Sequence, residues 1–119
     1  MRASVLVLDE DRLTRAPLAR ALVRGGCDVS AADTAKDAVA ALAGPDRIDV
    51  VLLDGDHAGF SATLKAIVAA DARVALIARA DRIAAANSRL LASGARDFAV
   101  RAKSATAEEL LELIARFAE

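Results

Sequence analysis

Two groups of carboxylates are spaced so that folding can bring them together. The first is Asp9–Glu10–Asp11, directly after the apolar run Val5–Leu6–Val7–Leu8. The second is Asp54, which ends the run Ile48–Asp49–Val50–Val51–Leu52–Leu53 and precedes Gly55 and Asp56. Four apolar residues in a row, Val50 to Leu53, read as a strand buried on both faces, the pattern of a parallel sheet. Such sheets place their chemistry at the C-terminal ends of their strands. Two neighbouring strands ending this way would gather three or four acids at one mouth of the sheet. Crowded carboxylates repel, so such a mouth favours a divalent cation held by oxygen ligands. Taken singly, Asp9, Glu10 and Asp54 also suit strand-end turns and helix caps. It is their joint position at strand ends that favours chemistry.

The predicted elements that carry these acids alternate in type along the chain. The first strand spans about Ala3 to Leu8. A helix follows with Leu13, Ala16, Leu18, Ala21 and Leu22 on its apolar face, closed by Gly25–Gly26. Pro17 falls within that pattern, so this helix either begins properly near Thr14 or carries a kink. A short strand at Asp28–Ala31 precedes a helix opened by Thr34, with Asp37 three residues on. After the central strand, a helix is expected over Ser61–Ala70 and a fourth strand over Arg73–Ile77. Asp81 is expected to cap a helix that Gly94 ends. Phe98–Val100 is a fifth strand, and the capping box Thr106–Ala107–Glu108–Glu109 opens a last helix. Five strands alternating with five helices imply a parallel sheet with helices on both faces and right-handed crossovers. Residues 1–119 read as one domain.

Composition narrows the function. The chain has 119 residues, 55% of them hydrophobic, enough for a real core. Sixteen Lys and Arg against seventeen Asp and Glu argue against a nucleic-acid footprint. Aromatic residues make up only 3%, which leaves no base-stacking platform. Cys27 is alone, so no internal disulfide forms and a reducing, cytoplasmic setting is expected. No apolar run approaches the ~20 residues of a membrane span.

The motifs Val5–Leu6–Val7–Leu8–Asp9–Glu10–Asp11 with Arg15, Val50–Val51–Leu52–Leu53–Asp54, and Gly94–Ala95–Arg96–Asp97–Phe98, in this order, resemble the receiver domain of two-component response regulators. The resemblance covers essentially the whole chain. It implies a flavodoxin-like (βα)5 three-layer α/β sandwich with strand order 2-1-3-4-5, and a site between strands one and three. It implies Asp54 as phosphoacceptor, with Asp9 and Glu10 holding Mg²⁺ together with Asp54 and the backbone carbonyl of Asp56. The expected donor is a sensor histidine kinase or a histidine phosphotransfer protein, and the expected homodimer pairs through the fourth helix, fifth strand and fifth helix. Receivers assist their own phosphorylation without being classed as enzymes.

Several positions depart from that pattern. The usual Met–Pro is His57–Ala58 here, and Ala62 takes the place of a usual glycine. At the end of strand four the family has a Ser or Thr that bonds the phosphoryl group, and Ala78 is read at that position. Without a donor there, a weak conformational response is expected. The lysine after strand five is read as Arg101 when counting from Gly94, or as Lys103 when counting back from the last capping box. Arg101 is preferred, because the alternative puts an arginine where a buried apolar residue belongs. His57 suits a loop position better than a metal or phosphohistidine role. Arg79 is either a solvated loop residue or one that reaches the mouth.

Three outcomes are open on this reading: signalling by an unusual route, a phosphoryl sink or relay, and a pseudo-receiver that only binds other proteins. A nucleotide-binding enzyme is disfavoured because no Gly-x-Gly-x-x-Gly or Walker loop is present. An aspartate-nucleophile hydrolase would use Asp56 as its acid/base, but the chain is short for one and has no cap domain.

Overall fold

The computed structural model describes residues 2–119. Five strands, β1 (Ser4–Leu8), β2 (Asp28–Ala32), β3 (Val50–Asp54), β4 (Ala75–Ala80) and β5 (Phe98–Ala102), form one sheet in the order β2-β1-β3-β4-β5. Every pairing is parallel. The expected fold class and strand order are therefore those observed.

The five helices are α1 (Arg12–Arg24), α2 (Ala35–Leu42), α3 (Phe60–Ala70), α4 (Ile83–Ser93) and α5 (Ala107–Phe117). They divide between the two faces of the sheet. Leu6, Leu8, Val51, Leu53, Leu76 and Ala78 point to the face covered by α2, α3 and α4, against Phe60, Leu64, Ile67 and Leu90. Val5, Val7, Val50, Leu52, Ala75 and Ile77 point the opposite way, to α1 and α5, against Leu22, Leu110, Leu113 and Ile114. This strict alternation follows from the two-residue period of a strand. It also fixes which face each strand-end residue serves.

Local signals account for most helix limits. Asp11 caps α1 by accepting the Leu13 amide, at 3.0 Å. Thr34 accepts the Asp37 amide and Thr106 the Glu109 amide, as their spacing requires. Gly94 ends α4 in the left-handed region, with φ of 85°. Pro17 sits inside α1, which starts at Arg12 rather than near Thr14. Leu13, assigned to the apolar face by its spacing, is 86% exposed.

Two strands run further than the apolar pattern indicates. β4 continues through Ala78 and Arg79 to Ala80, and β5 continues through Arg101 to Ala102. Backbone pairing carries them on: Leu53 pairs with Ala78, Asp54 with Arg79, and Arg79 with Arg101. An arginine is tolerated in β5 because this edge strand is only half-buried along its whole length.

Candidate functional site

Asp54 is the last residue of the central strand and Asp9 follows the last residue of its neighbour β1. Both lie at the C-terminal edge of the sheet. The backbone turns sharply after each, and each carboxylate accepts the amide two residues on. Asp9 Oδ1 accepts from Asp11 at 2.9 Å, and Asp54 Oδ1 from Asp56 at 2.9 Å. These short-range bonds are the turn geometry that aspartate favours. The Arg15 side chain donates to the Asp9 carbonyl and ties α1 to the same edge.

Gly55 allows the chain to leave β3 close to β4 and α4. A Cβ at this position would lie 3.0 Å from that of Ala80, 3.1 Å from that of Ala86 and 3.3 Å from that of Ala78. The small side chains of Ala78 and Ala80 therefore make room for the turn that presents Asp54.

The fifth strand delivers Lys103 to the same edge. Its Nζ lies 3.4 Å from Asp54 Oδ1 and 3.0 Å from Asp56 Oδ2. Arg101 does not take this position. It lies inside β5 beside Arg79, and its Nη1 donates to the Val100 carbonyl. Of the two residues read as candidates after strand five, the structure brings Lys103, the first residue beyond β5, to Asp54, and turns Arg101 to its own strand.

At the end of β4, Ala78 is fully buried in the cluster shared with α3 and α4 and lies beside Gly55. The residue paired with Asp54 across the β3–β4 ladder is Arg79. By the alternation of side chains, Arg79 shares the face of Ile77, as Asp54 shares that of Leu52.

Two cavities flank this end of the sheet, and Asp9 and Asp54 line both. The smaller, of about 130 Å³, is completed by Asp11, Thr14, Arg79 and Lys103. The larger, of about 220 Å³, opens on the α2–α3 side and includes Glu10, His57 and Phe60. His57 Nδ1 accepts the Gly59 amide at 3.0 Å, so the ring proton resides on Nε2, which faces Glu10 Oε2 at 3.2 Å. Spacing alone suggested a plain loop histidine; the structure makes it a bridge between two site loops.

Asp56 has a role its spacing did not reveal. Its Oδ2 accepts the Asp81 amide at 2.7 Å and its Oδ1 the Arg82 amide at 3.2 Å. It thereby holds the two residues that lead into α4, a helix that Asp81 was expected to cap. The helix's own N-cap, Arg82, supplies no side-chain bond. The Asp81 amide, and then the Lys103 ammonium, hold the Asp56 carboxyl down at about 2. Lys103 is correspondingly raised by its bond to Asp56. The hydroxyl of Thr14 and the Leu13 amide lower Asp11.

The donors suit a hard divalent cation in type, being carboxylates and a carbonyl. Asp9, Glu10 and Asp54 line one cavity. Among the described residues, however, no three such side chains converge at metal-binding distance. Glu10 turns to His57 and Asp54 to Lys103.

Comparison with solved structures matches this arrangement to a known class. A response regulator receiver domain protein from Clostridium thermocellum superposes with a TM-score of 0.82 at 20% identity, over 98% of this chain and 94% of that one. The fold is that of a response regulator receiver domain. NtrX from Brucella abortus, solved in complex with ADP, matches at 27% identity and a TM-score of 0.80. The match covers 99% of this receiver-like chain, which spans only 27% of that protein. A response regulator from Burkholderia pseudomallei, solved with a phosphorylated aspartic acid, a calcium ion and citrate, matches at 21% identity and a TM-score of 0.76, over 94% of this chain and 66% of that one. No family model matches the sequence, and no curated protein matches it. No helix among the described residues is long and apolar enough to cross a membrane.

Proposed function

We propose that this chain is a phosphoacceptor receiver of a two-component phosphorelay, taking a phosphoryl group onto Asp54 from a phosphohistidine of a kinase or phosphotransfer protein in the cytoplasm. The observation that carries this reading is Lys103 Nζ standing 3.4 Å from Asp54 at the end of the central strand, on a cavity shared with Asp9. In the transfer, an Asp54 carboxylate oxygen attacks phosphorus and a new P–O bond forms. The P–N bond of the donor breaks, and the imidazole leaves with the electron pair and takes a proton. The product is a mixed anhydride, an acyl phosphate of the kind other aspartate nucleophiles form.

A carboxylate attacking an anionic donor needs its charge offset. Lys103 supplies one fixed positive charge beside the attacking oxygen. Asp9, Glu10, Asp54 and the Asp56 carbonyl are the groups that would hold Mg²⁺. When bound, that ion would neutralise both reacting partners and align them. The Asp9 turn and the Arg15 bond to its carbonyl keep the first of these groups at the sheet edge.

The hydrolase reading is disfavoured by the engagement of Asp56, whose carboxylate oxygens are taken by the Asp81 and Arg82 amides and by Lys103. The reading as a pure interaction module draws support from one feature, the absence of three convergent acids among the described residues. One experiment separates the two. With Mg²⁺ and acetyl phosphate, the intact protein gains one phosphoryl mass and Asp54→Asn gains none. Equal labelling of the variant removes Asp54 as the acceptor, and no labelling of either favours the interaction module.

A further inference from the structure

The smaller cavity has a charged group that the phosphotransfer reading leaves unused. Arg79 is half-buried in β4 and lines the cavity beside Asp54, its partner across the ladder. Among the described residues, no hydrogen bond or ion pair engages its guanidinium. A half-buried guanidinium has lost part of its hydration and needs a compensating partner. The nearby cation is already committed, because Lys103 is divided between Asp54 and Asp56. The other arginine on this face, Arg101, is turned to its own backbone.

We propose that Arg79 is the residue that grips the phosphoryl group on Asp54, in the place where a hydroxyl is expected on β4; this rests on Asp54 being the phosphoacceptor. Phosphorylation would replace one carboxylate charge with a dianionic group carrying three acceptor oxygens. A guanidinium matches two of those oxygens at once through parallel N–H bonds. Arg79 enters the cavity from the strand paired with β3, so its anchor is set by the sheet. Its backbone is held in turn, with the Arg79 carbonyl accepting the Gly55 amide at 2.8 Å.

The consequence for movement differs from that of a short hydroxyl. A hydroxyl must be drawn inward to meet the phosphoryl group, bringing its loop with it. An arginine reaches the group by side-chain rotation alone. Meanwhile the start of α4 is fixed by two amide bonds to Asp56. The site therefore binds its phosphoryl group with little displacement of the β4–α4 segment.

The test uses beryllofluoride, a phosphoryl mimic, with Mg²⁺, followed by fluorine NMR on the intact protein. Wild type binds the mimic at Asp54. Arg79→Ala binds it roughly 10- to 100-fold more weakly, the loss expected for a charge-assisted pair. Arg79→Lys, which keeps charge but loses the fork, falls between the two. In wild type, the Arg79 Nε–H resonance shifts when the mimic binds, a signature that a purely structural arginine would not give. Equal affinity of wild type and Arg79→Ala, with an unmoved Arg79 resonance, overturns the role of Arg79 while leaving Asp54 as acceptor. No adduct on wild type overturns both. Arg79→Gln, closer in shape, replaces the alanine variant if that one fails to fold.

Discussion

The two walls of the site are built by different means. The acidic wall stands on the central strand β3 and its neighbour β1, both paired on two sides and covered by helices. Asp9 and Asp54 are then set by bonds that reach only two residues along the chain. The basic wall stands on β4 and β5, at and next to an edge. Arg79, Arg101 and Lys103 owe their placement to how far those two strands continue pairing. Local chemistry aims the acids, and tertiary pairing aims the cations.

That contrast can be broken most severely at Ala78. If this position faced the acids, Ala78→Thr would restore a hydroxyl to the site and strengthen beryllofluoride binding. The register here puts the hydroxyl in the buried cluster shared with α3 and α4 instead. Ala78→Thr is expected to cost about 1–3 kcal/mol of stability, from a buried hydroxyl and an overfilled space, with no gain in binding. Urea unfolding and the fluorine NMR titration measure the two effects. A tighter adduct at unchanged stability would reverse the assignment of the faces.

A smaller effect is expected at Asp56, which joins the walls. Its folded pKa is about 2 against an ordinary 3.8. A carboxylate with a depressed folded pKa stabilises the protein fully above its unfolded value, and that contribution is lost as pH falls from about 4 towards 2. Asp56→Asn should lose about 1 kcal/mol at neutral pH, in line with weakened charge-assisted hydrogen bonds at a partly exposed site. Its melting temperature should also fall less steeply than that of wild type over this acid range. Parallel pH profiles of the two proteins would contradict this role of Asp56. Amide exchange at Asp81 and Arg82 should quicken in the variant.

The least effect is expected at Arg101. Arg101→Ala should change acetyl phosphate labelling by less than about twofold, since the guanidinium bonds only its own strand. A large loss of labelling would return the lysine role to Arg101.

These cases show what the sequence could carry. The alternating apolar pattern, the caps Thr34 and Thr106 and the left-handed Gly94 all lie in short stretches, and each was legible from its own residues. So was the acidic wall, because buried strands end abruptly on carboxylates. The strand ends at β4 and β5 were not legible. Apolar character stops at Ile77 and Val100, yet the ladder pairs Arg79 with Asp54 and with Arg101. Nothing in residues 78–80 or 101–103 alone announces that pairing. The reach of β4 and β5 decides that Arg79 lines the cavity and that Lys103 meets Asp54. The bond from the Asp81 amide to Asp56 spans 25 residues of chain and equally escapes local reading. Counting back from the Thr106 capping box was the signal that pointed to Lys103.

On the proposed function, the carboxylate of Asp54, faced by Lys103, accepts a phosphoryl group. Borohydride converts an aspartyl phosphate to homoserine, so treatment after acetyl phosphate and Mg²⁺, followed by peptide mass mapping, reads the acceptor directly. The expected result is homoserine at the position of Asp54 and at no other acid. Homoserine at Asp9, Asp11 or Asp56, or at no position, would contradict the claim.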